Sequence, residues 1–213
     1  MLFVFDLDDT LYLERDFVKS GYRAVDVFLT SEKSLDGFFD FAWNEFQNGN
    51  FSYVINRFLE KSDCCTTEVL QSAIRVYRDH RPSITLLPDA LDFLKQKPFD
   101  CFAMITDGYS MTQWNKITAL GLPSMIKKIV VTGDWGKDYW KPHPRAYLEV
   151  QRDYPANQCV YIADNPRKDF CVPLELQWHP SVRIRRSGSL HYALPTDEHC
   201  IEIHSLTELC SLF

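Results

Sequence analysis

A cluster of acidic residues follows the first apolar segment of the chain. Leu2 to Phe5 are all apolar, and this segment ends at Asp6, which begins the sequence DLDDT. A carboxylate can act as a nucleophile toward phosphorus while a neighbouring carboxylic acid protonates the leaving oxygen. Asp6 and Asp8 fit these two roles, whereas Asp9 is assigned none. Taken alone, DLDDT is more typical of a solvated acidic turn, so the hypothesis depends on residues elsewhere in the chain.

Polar and acidic residues also follow two later apolar segments. Thr106, Asp107 and Gly108 come directly after CFAMI, and Asp164 comes after CVYIA with Asp169 five residues later. Ligands of open parallel sheets bind at the carboxyl ends of the strands. These side chains are therefore expected to converge with the acidic cluster that follows the first segment.

Such a convergence of carboxylates requires a cation. Carboxylates crowded at one sheet edge repel one another and raise each other's pKa values unless a cation neutralises them, and oxygen ligands favour a hard ion. The sequence therefore predicts Mg²⁺ as cofactor. Lys141, in YWKPHP, adds a positive charge. Because Lys141 precedes Pro142, we expect a loop there, followed by a helix that begins near His143.

The elements that would position these residues follow from the apolar periodicity. The first segment has the pattern of a strand buried on both faces. From about Glu14 to Tyr77, apolar residues recur three and four apart, which predicts helices. After Pro82, the strand segments CFAMI, KIVV, CVYIA and SVRI alternate with helical stretches. We therefore predict an α/β fold: a Rossmann-like parallel sheet core from 1–13 and 83–213, with an inserted α-helical cap domain from 14–82.

Composition and charge exclude several classes of protein. The net charge of −6 is spread without a basic block, which argues against nucleic acid as a partner. The seven cysteines are odd in number and form no CxxC pair, which argues against a disulfide framework or zinc site. The start MLFVFD lacks the features of a signal peptide, and no apolar segment reaches membrane-spanning length. A cytoplasmic protein without a membrane partner is expected.

Three further features each allow two interpretations. Arg15, Lys19 and Arg23 would form a basic stripe on one helix face, either solvated or directed at an anionic substrate. RIRR, at 183–186, could bind an anion, but its position and the alternation of apolar residues favour the edge strand of the sheet. A group of aromatic residues in the helical segment could pack the helices or form a specificity pocket, and packing is favoured. These residues are Phe38, Phe39, Phe41, Trp43 and Phe46.

The order of these motifs resembles the haloacid dehalogenase-like hydrolase superfamily over nearly the whole chain. The family's first motif, DxDx[TV], is similar to Asp6 through Thr10, and its second, an apolar strand ending in Ser or Thr, is similar to the strand ending at Thr106. Its third motif corresponds to Lys141, and its fourth, an acidic pair after a strand, corresponds to Asp164 and Asp169. Gln113, Lys116 and the segment 120–122 also resemble members with a helical cap inserted behind the first motif.

The resemblance implies a role for each matched residue. Asp6 would attack phosphorus, and Asp8 would act as acid and then base. Asp6, Asp164 and the backbone carbonyl of Asp8 would bind Mg²⁺, with support from Asp169. The phosphate would be held by Thr106, by Lys141 and by the amides near Asp107 and Gly108. The chain departs from the family at Ala163, where glycine is common, at Asp107, where asparagine is frequent, and in LELQW, which lacks a glycine.

The function expected from this resemblance is that of a phosphatase, a phosphoric monoester hydrolase acting on a small phosphorylated metabolite. Two alternatives stay open: a phosphomutase of the same family, and a catalytically silent regulatory or binding protein with the same fold. Dehalogenases and phosphonate-cleaving relatives are disfavoured because their residue at the position of Asp8 is not acidic. Neither the identity of the substrate nor the oligomeric state follows from the sequence.

Overall fold

The chain forms two compact units. A computed structural model describes residues 1–98 and 101–213. The first unit comprises Met1–Arg15 and Ile84–Phe213, and the second comprises Asp16–Ser83. The predicted core, 1–13 and 83–213, differs from the first unit by one or two residues at each limit. That the second unit serves as a cap stays a prediction.

The first unit contains a six-stranded sheet in which every neighbouring pair is parallel. Its strands are β1 (Leu2–Phe5), β2 (Phe102–Thr106), β3 (Lys128–Val131), β4 (Cys159–Ala163), β5 (Ser181–Ile184) and β6 (Cys200–Ile203). They lie in the order β3-β2-β1-β4-β5-β6. The predicted α/β class with a Rossmann-like parallel sheet is thereby confirmed. The order reverses at β1, which pairs with β2 on one side and with β4 on the other.

Nine α-helices are described in the two units. The second unit contains most of α1 (Glu14–Lys33) and all of α2 (Phe38–Gln47), α3 (Val54–Lys61) and α4 (Thr67–Asp79). The first unit contains α5 (Pro88–Gln96), α6 (Ser110–Ala119), α7 (Arg145–Gln151), α8 (Cys171–Glu175) and α9 (Leu209–Leu212). None of the helices within the described ranges is both long and apolar enough to span a membrane.

Both faces of the sheet are covered, which explains the uninterrupted apolar strands. On one face, Leu2 and Val4 join a buried cluster with Tyr147 of α7 and Val172 of α8. On the other face, the Phe3 ring meets Phe93 of α5 edge to face, with 5.3 Å between the ring centroids. Successive residues of β1 therefore pack in opposite directions, as the pleat of a strand requires.

One sequence prediction about local structure was wrong, and another was close. The segment RIRR was predicted to form the edge strand, but β5, which contains Arg183, lies between β4 and β6, and the edge strand on that side of the sheet is β6. The helix predicted to begin near His143 begins two residues later, at Arg145. The Arg145 amide donates instead to Nδ1 of His143, at 3.1 Å, so the His143 ring caps the helix from outside.

Arg183 is not available to an anion, because its side chain is buried and four of its five N–H groups donate to protein acceptors. Arg183 lies on an interior strand of the sheet, and only 1% of the residue is exposed. It donates to the carbonyl oxygens of Asp164 (3.1 Å), Leu194 (2.7 Å) and His191 (2.9 Å), and to Thr196 Oγ1 (2.7 Å). Arg183 thus ties the loop before β6 to the end of β4.

We expect Arg183→Met to lower the free energy of unfolding by about 3–5 kcal/mol, since several buried acceptors lose a charged donor at once. Urea denaturation followed by circular dichroism measures this change. Arg167→Met is the matched control, because the Arg167 side chain is exposed, and it should change the free energy by less than about 0.5 kcal/mol. Equal stability of the two variants would contradict a structural role for Arg183.

In the helical unit, the aromatic residues of α2 pack against neighbouring helices, so the packing interpretation is confirmed. Phe38 is fully buried, and the other four lie against the same cluster. Lys19 Nζ lies 5.3 Å from the Trp43 ring centroid, and Arg23 Cζ lies 5.2 Å from that of Phe39. Two residues of the basic stripe therefore make cation–π contacts within this unit.

Candidate active site

The carboxyl ends of β1, β2 and β4 lie side by side at the point where the strand order reverses. Phe5 is opposite Met104 of β2 and Ile162 of β4, so Asp6, Thr106 and Asp164 emerge at the same sheet edge. Ligands of open α/β sheets bind at this kind of switch point. The three predicted motif residues are thus brought together by the sheet register.

Lys141 links the end of β1 to the loop after β4. Its Nζ donates to Asp6 Oδ1 at 2.5 Å, to Asp169 Oδ1 at 2.7 Å and to the Tyr161 hydroxyl at 3.1 Å. Burial alone would lower the pKa of Lys141, but Asp169 and Asp6 outweigh this effect and hold the pKa well above its ordinary value. The side chain, with no exposed surface, is therefore a buried cation that pairs with two acids.

Three carboxylates form a compact cluster, and ionisation of all three would place more negative charge there than Lys141 can balance. One oxygen from each of Asp6, Asp164 and Asp169 lies within 4.8 Å of the others. Oδ2 of Asp164 is buried and has no hydrogen-bond partner among the described residues. Burial, reinforced by the charge of Asp6, raises the pKa of Asp164 to about 9. An oxygen-only donor set with an unpaired buried oxygen and excess negative charge fits a hard divalent cation.

Binding of Mg²⁺ is therefore expected to release protons. At pH 7.5 a group whose pKa is about 9 is mostly protonated, and metal binding requires its ionised form. The apparent Mg²⁺ affinity should rise with pH by up to about tenfold per unit between about pH 7 and pH 9, where Asp164 alone of the two carboxylate ligands is mostly protonated. Titration calorimetry at pH 7.5 in two buffers of different ionisation enthalpy measures the released protons.

The matched comparison uses Asp164→Asn and Asp92→Asn, since Asp92 is exposed on α5. Asp164→Asn should lose most of the metal binding and the associated proton release, whereas Asp92→Asn should retain both. Without metal, Asp164→Asn should also melt at a higher temperature than wild type at pH 7.5, because a raised folded-state pKa makes the acid destabilising at that pH. Metal binding without proton release would contradict the assignment.

The side chain of Asp8 does not point into this cluster. Lys116 Nζ donates to both of its carboxylate oxygens, at 2.8 and 3.0 Å, and the Tyr12 hydroxyl donates a further short hydrogen bond to Oδ1. Lys116 is buried, whereas the Asp8 side chain retains 20% exposure. Asp8 thus has a fixed but accessible carboxylate, and the only part predicted to bind metal is its backbone carbonyl.

The turn after β2 is held by side chains rather than by its own backbone alone. Thr106 Oγ1 donates to Gln113 Oε1 at 3.0 Å. Gly108 has a φ of +137°, and a Cβ at this position would lie 2.5 Å from the Gln113 amide nitrogen. Glycine is therefore favoured at residue 108 by its backbone conformation, and a larger residue there would also displace the Gln113 side chain.

The carboxylate of Asp107 is committed to neighbouring protein groups. It accepts from the Lys141 amide at 3.0 Å, from Thr132 Oγ1 at 2.8 Å and from Lys168 Nζ at 3.1 Å. Burial tends to raise the pKa of Asp107, but the charges of Lys141 and Lys168 outweigh it and lower the pKa below its ordinary value. An ionised carboxylate repels phosphate, so a phosphate role for residues 107 and 108 is confined to their amides.

Several residues of the site were missed or left without a role at the sequence level. Asp9, which was assigned none, has a φ of +54°, and its carboxylate accepts from the Glu14 amide at 2.8 Å and from the Leu190 amide at 2.7 Å. It closes the loop after β1 and fixes the loop near residue 190 beside it. Lys168 lies within the fourth motif, between Asp164 and Asp169. A positive charge between two acids was the signal in the sequence that could have identified it as a site residue.

A comparison of the sequence with models of known protein families agrees with the fold and the site described above. The model of the haloacid dehalogenase-like hydrolase family matches residues 1–170, which is most of the 213-residue chain. The chain belongs to this family, which confirms the family predicted from the motifs.

Two curated relatives are similar over most of the chain. The glyceraldehyde 3-phosphate phosphatase of Methanocaldococcus jannaschii is 26% identical, over 98% of this chain and 95% of its own length. The enzyme with the same name from Methanopyrus kandleri is 22% identical, over 78% and 76%. Both agree with the predicted enzyme class, the phosphoric monoester hydrolases.

Solved structures of the family share the fold. The magnesium-bound HAD-hydrolase YfnB of Bacillus subtilis superposes with a TM-score of 0.66 at 19% identity, and covers 99% of this chain and 97% of its own. A 2-haloacid dehalogenase from Pseudomonas syringae gives a TM-score of 0.66 at 21% identity, with 99% and 96% coverage. At this level of identity the likeness establishes the architecture alone.

Proposed function

We propose that this protein is a Mg²⁺-dependent phosphatase that hydrolyses a small phosphorylated metabolite through an aspartyl-phosphate on Asp6. The observation that carries the proposal is the position of Asp6, which lies at the sheet switch point, bound to the buried Lys141 and within the carboxylate cluster. One Asp6 oxygen accepts from Lys141, so the other is available for attack on phosphorus. A carboxylate nucleophile in such a cluster can approach a phosphate group only when positive charge neutralises the neighbouring acids.

Asp6 and Asp164 would hold the metal ion through carboxylate oxygens, and Asp8 through its backbone carbonyl. Asp169 supports the site by binding Lys141 and by accepting from the Asn165 amide at 3.3 Å. When bound, Mg²⁺ supplies positive charge that reduces repulsion between the acids and the phosphate oxygens.

In the first step the Asp6 oxygen bonds to phosphorus as the ester P–O bond breaks, and protonated Asp8 gives its proton to the leaving alkoxide. In the second step ionised Asp8 takes a proton from water, whose oxygen bonds to phosphorus as the Asp6–P bond breaks. Inorganic phosphate and free Asp6 result. Lys116 and Tyr12 keep the Asp8 carboxylate in a fixed orientation during both proton transfers.

Thr106, once its hydroxyl turns from Gln113 Oε1, and the amides of residues 107 and 108 would donate to phosphate oxygens in this scheme. Lys141 would offset the charge of Asp6 and of the transferring group. The helical unit, Asp16–Ser83, would act as the cap that selects the substrate. Because both curated relatives are glyceraldehyde 3-phosphate phosphatases, triose phosphates are the first candidates, followed by other sugar phosphates, sugar-acid phosphates and nucleotides.

The test is a phosphate-release assay on a panel of these metabolites, with the protein saturated with Mg²⁺ or treated with a chelator. Release of inorganic phosphate from at least one metabolite, abolished by the chelator and restored by Mg²⁺, is the expected result. Formation of an isomeric phosphate ester without free phosphate would favour the phosphomutase. Binding of a metabolite without any conversion would favour the catalytically silent alternative.

A further inference from the structure

The buried lysine of the site has no hydrogen-bond donor to spare. An ammonium group offers three donors, and Lys141 Nζ uses them on Asp6, Asp169 and Tyr161, at 2.5, 2.7 and 3.1 Å. The side chain is also fully buried. A direct hydrogen bond from Lys141 to a phosphate oxygen would therefore require one of these partners to be released.

A second lysine lies beside the same acids with donors remaining. Lys168 is in the fourth motif, and its Nζ has one acceptor within the described residues, Asp107 Oδ2 at 3.1 Å. Its side chain is 36% exposed. Two of its three N–H groups are therefore available to a ligand that approaches from solvent.

Lys168 also lies at the correct edge of the sheet. Its acceptor, Asp107, begins the turn after β2 and simultaneously accepts from the Lys141 amide. Burial and Lys141 lower the pKa of Lys168, but Asp169, Asp6 and Asp107 outweigh them and raise it. The ammonium is therefore a permanent charge within reach of the acids around Asp6, next to the amides that would bind phosphate.

We propose that Lys168 donates directly to the phosphate group of the substrate, whereas Lys141 positions Asp6. This inference rests on the proposed phosphatase function. These two roles follow from the number of N–H donors that each lysine has left. Lys141 uses all three on protein acceptors and fixes Asp6, whereas Lys168 keeps two donors and is accessible to solvent. A phosphate dianion would take hydrogen bonds from the free N–H groups while Asp107 retains its own.

The first experiment measures the binding of inorganic phosphate to the Mg²⁺-loaded full chain by titration calorimetry. Lys168→Gln should weaken binding by about 10- to 100-fold, the loss expected for a charged hydrogen bond, and Lys168→Arg should recover most of it. Arg167→Gln removes the same charge from the adjacent, exposed position and should leave the affinity within about twofold. Lys168→Met, with melting curves for each variant, separates loss of the ammonium from loss of folding.

A double-mutant cycle with Asp107→Asn distinguishes phosphate contact from a purely structural role. If Lys168 contacts phosphate, Lys168→Gln weakens binding in both the wild-type and the Asp107→Asn backgrounds. The proposal is overturned if the loss occurs only when Asp107 is present, if Lys168→Gln binds phosphate as tightly as Arg167→Gln, or if wild-type protein binds no phosphate.

The outcome for Lys168 is separable from that for the proposed function. Absence of turnover by wild-type protein on every metabolite would remove the phosphatase proposal, while the phosphate titrations would still decide whether Lys168 binds the anion. In an active enzyme, Lys168→Gln should raise KM by about 10- to 100-fold, with a smaller effect on kcat if the contact is already present in the bound ground state.

Discussion

Replacement of Asp6 by Asn should lower the rate of phosphate release by at least about 10⁴-fold, because an amide oxygen cannot form the covalent intermediate at a useful rate. The side chain keeps its shape, and one oxygen can still accept from Lys141, as Oδ1 does at 2.5 Å in the wild-type chain. Single-turnover measurement of phosphate release from the best metabolite of the panel gives the rate constant of the chemical step directly.

The control for this variant is Asp92→Asn, which removes a carboxylate of the same kind from an exposed position on α5. It should keep kcat and KM within about twofold of wild type. Asp6→Asn should still bind inorganic phosphate, since the change removes a negative charge from the site. Full turnover by Asp6→Asn would mean that another group attacks phosphorus, and the aspartyl-phosphate mechanism would have to be abandoned.

The parallel sheet could be predicted because its strands are buried on both faces and so lack polar residues. That is true of β1, β2 and β4, whose ends carry Asp6, Thr106 and Asp164. In contrast, β6 contains Glu202 and is mostly half-buried, as expected for an edge strand with one neighbour. The alternation of apolar and polar residues in its sequence, CIEI, is too weak to distinguish a strand from a loop.

Which residues belong to the site was more predictable than what their side chains contact. The motif residues follow apolar segments, a local property of the sequence. The hydrogen bond between Lys116 and Asp8 joins residues 108 positions apart, and that between Lys141 and Asp6 joins residues 135 positions apart. Pairing at such separations is decided by the packing of α6 and of the loop before α7, on which sequence spacing carries no information.

Buried arginine and lysine were the least predictable features, because these residue types are almost never fully buried unless they are paired. Arg183 was interpreted as an edge-strand residue since nothing in RIRR reveals the four acceptors that surround its side chain. The sequence likewise gives no sign that Lys141 uses all three of its N–H donors on protein acceptors. The resemblance predicted that a lysine lies in the site, and only the atomic arrangement distinguishes a lysine that fixes the nucleophile from one with donors to spare.

Replacement of Lys141 by Met should damage both stability and catalysis, because it leaves Asp6 and Asp169 buried without their cation. Removing one partner from such a buried network costs about 3–5 kcal/mol of unfolding free energy. Urea denaturation without Mg²⁺ measures this loss. Lys128→Met is the matched control: Lys128 is partly exposed and pairs with Asp153 and Glu149 near the surface, so its loss should cost less than about 1 kcal/mol.

The double variant Lys141→Met/Asp169→Asn should recover part of the lost stability, because the uncompensated charge rather than the missing contact is the main penalty. In the single variant Lys141→Met, the rate of phosphate release should fall by about 10²- to 10³-fold. The dependence of this rate on pH should also change. Burial raises the pKa of Asp6 to about 7 despite the opposing charge of Lys141. Without that charge the pKa rises further, so the ascending limb of the rate against pH should move to higher pH. An unchanged limb would show that Lys141 does not control the ionisation of the nucleophile.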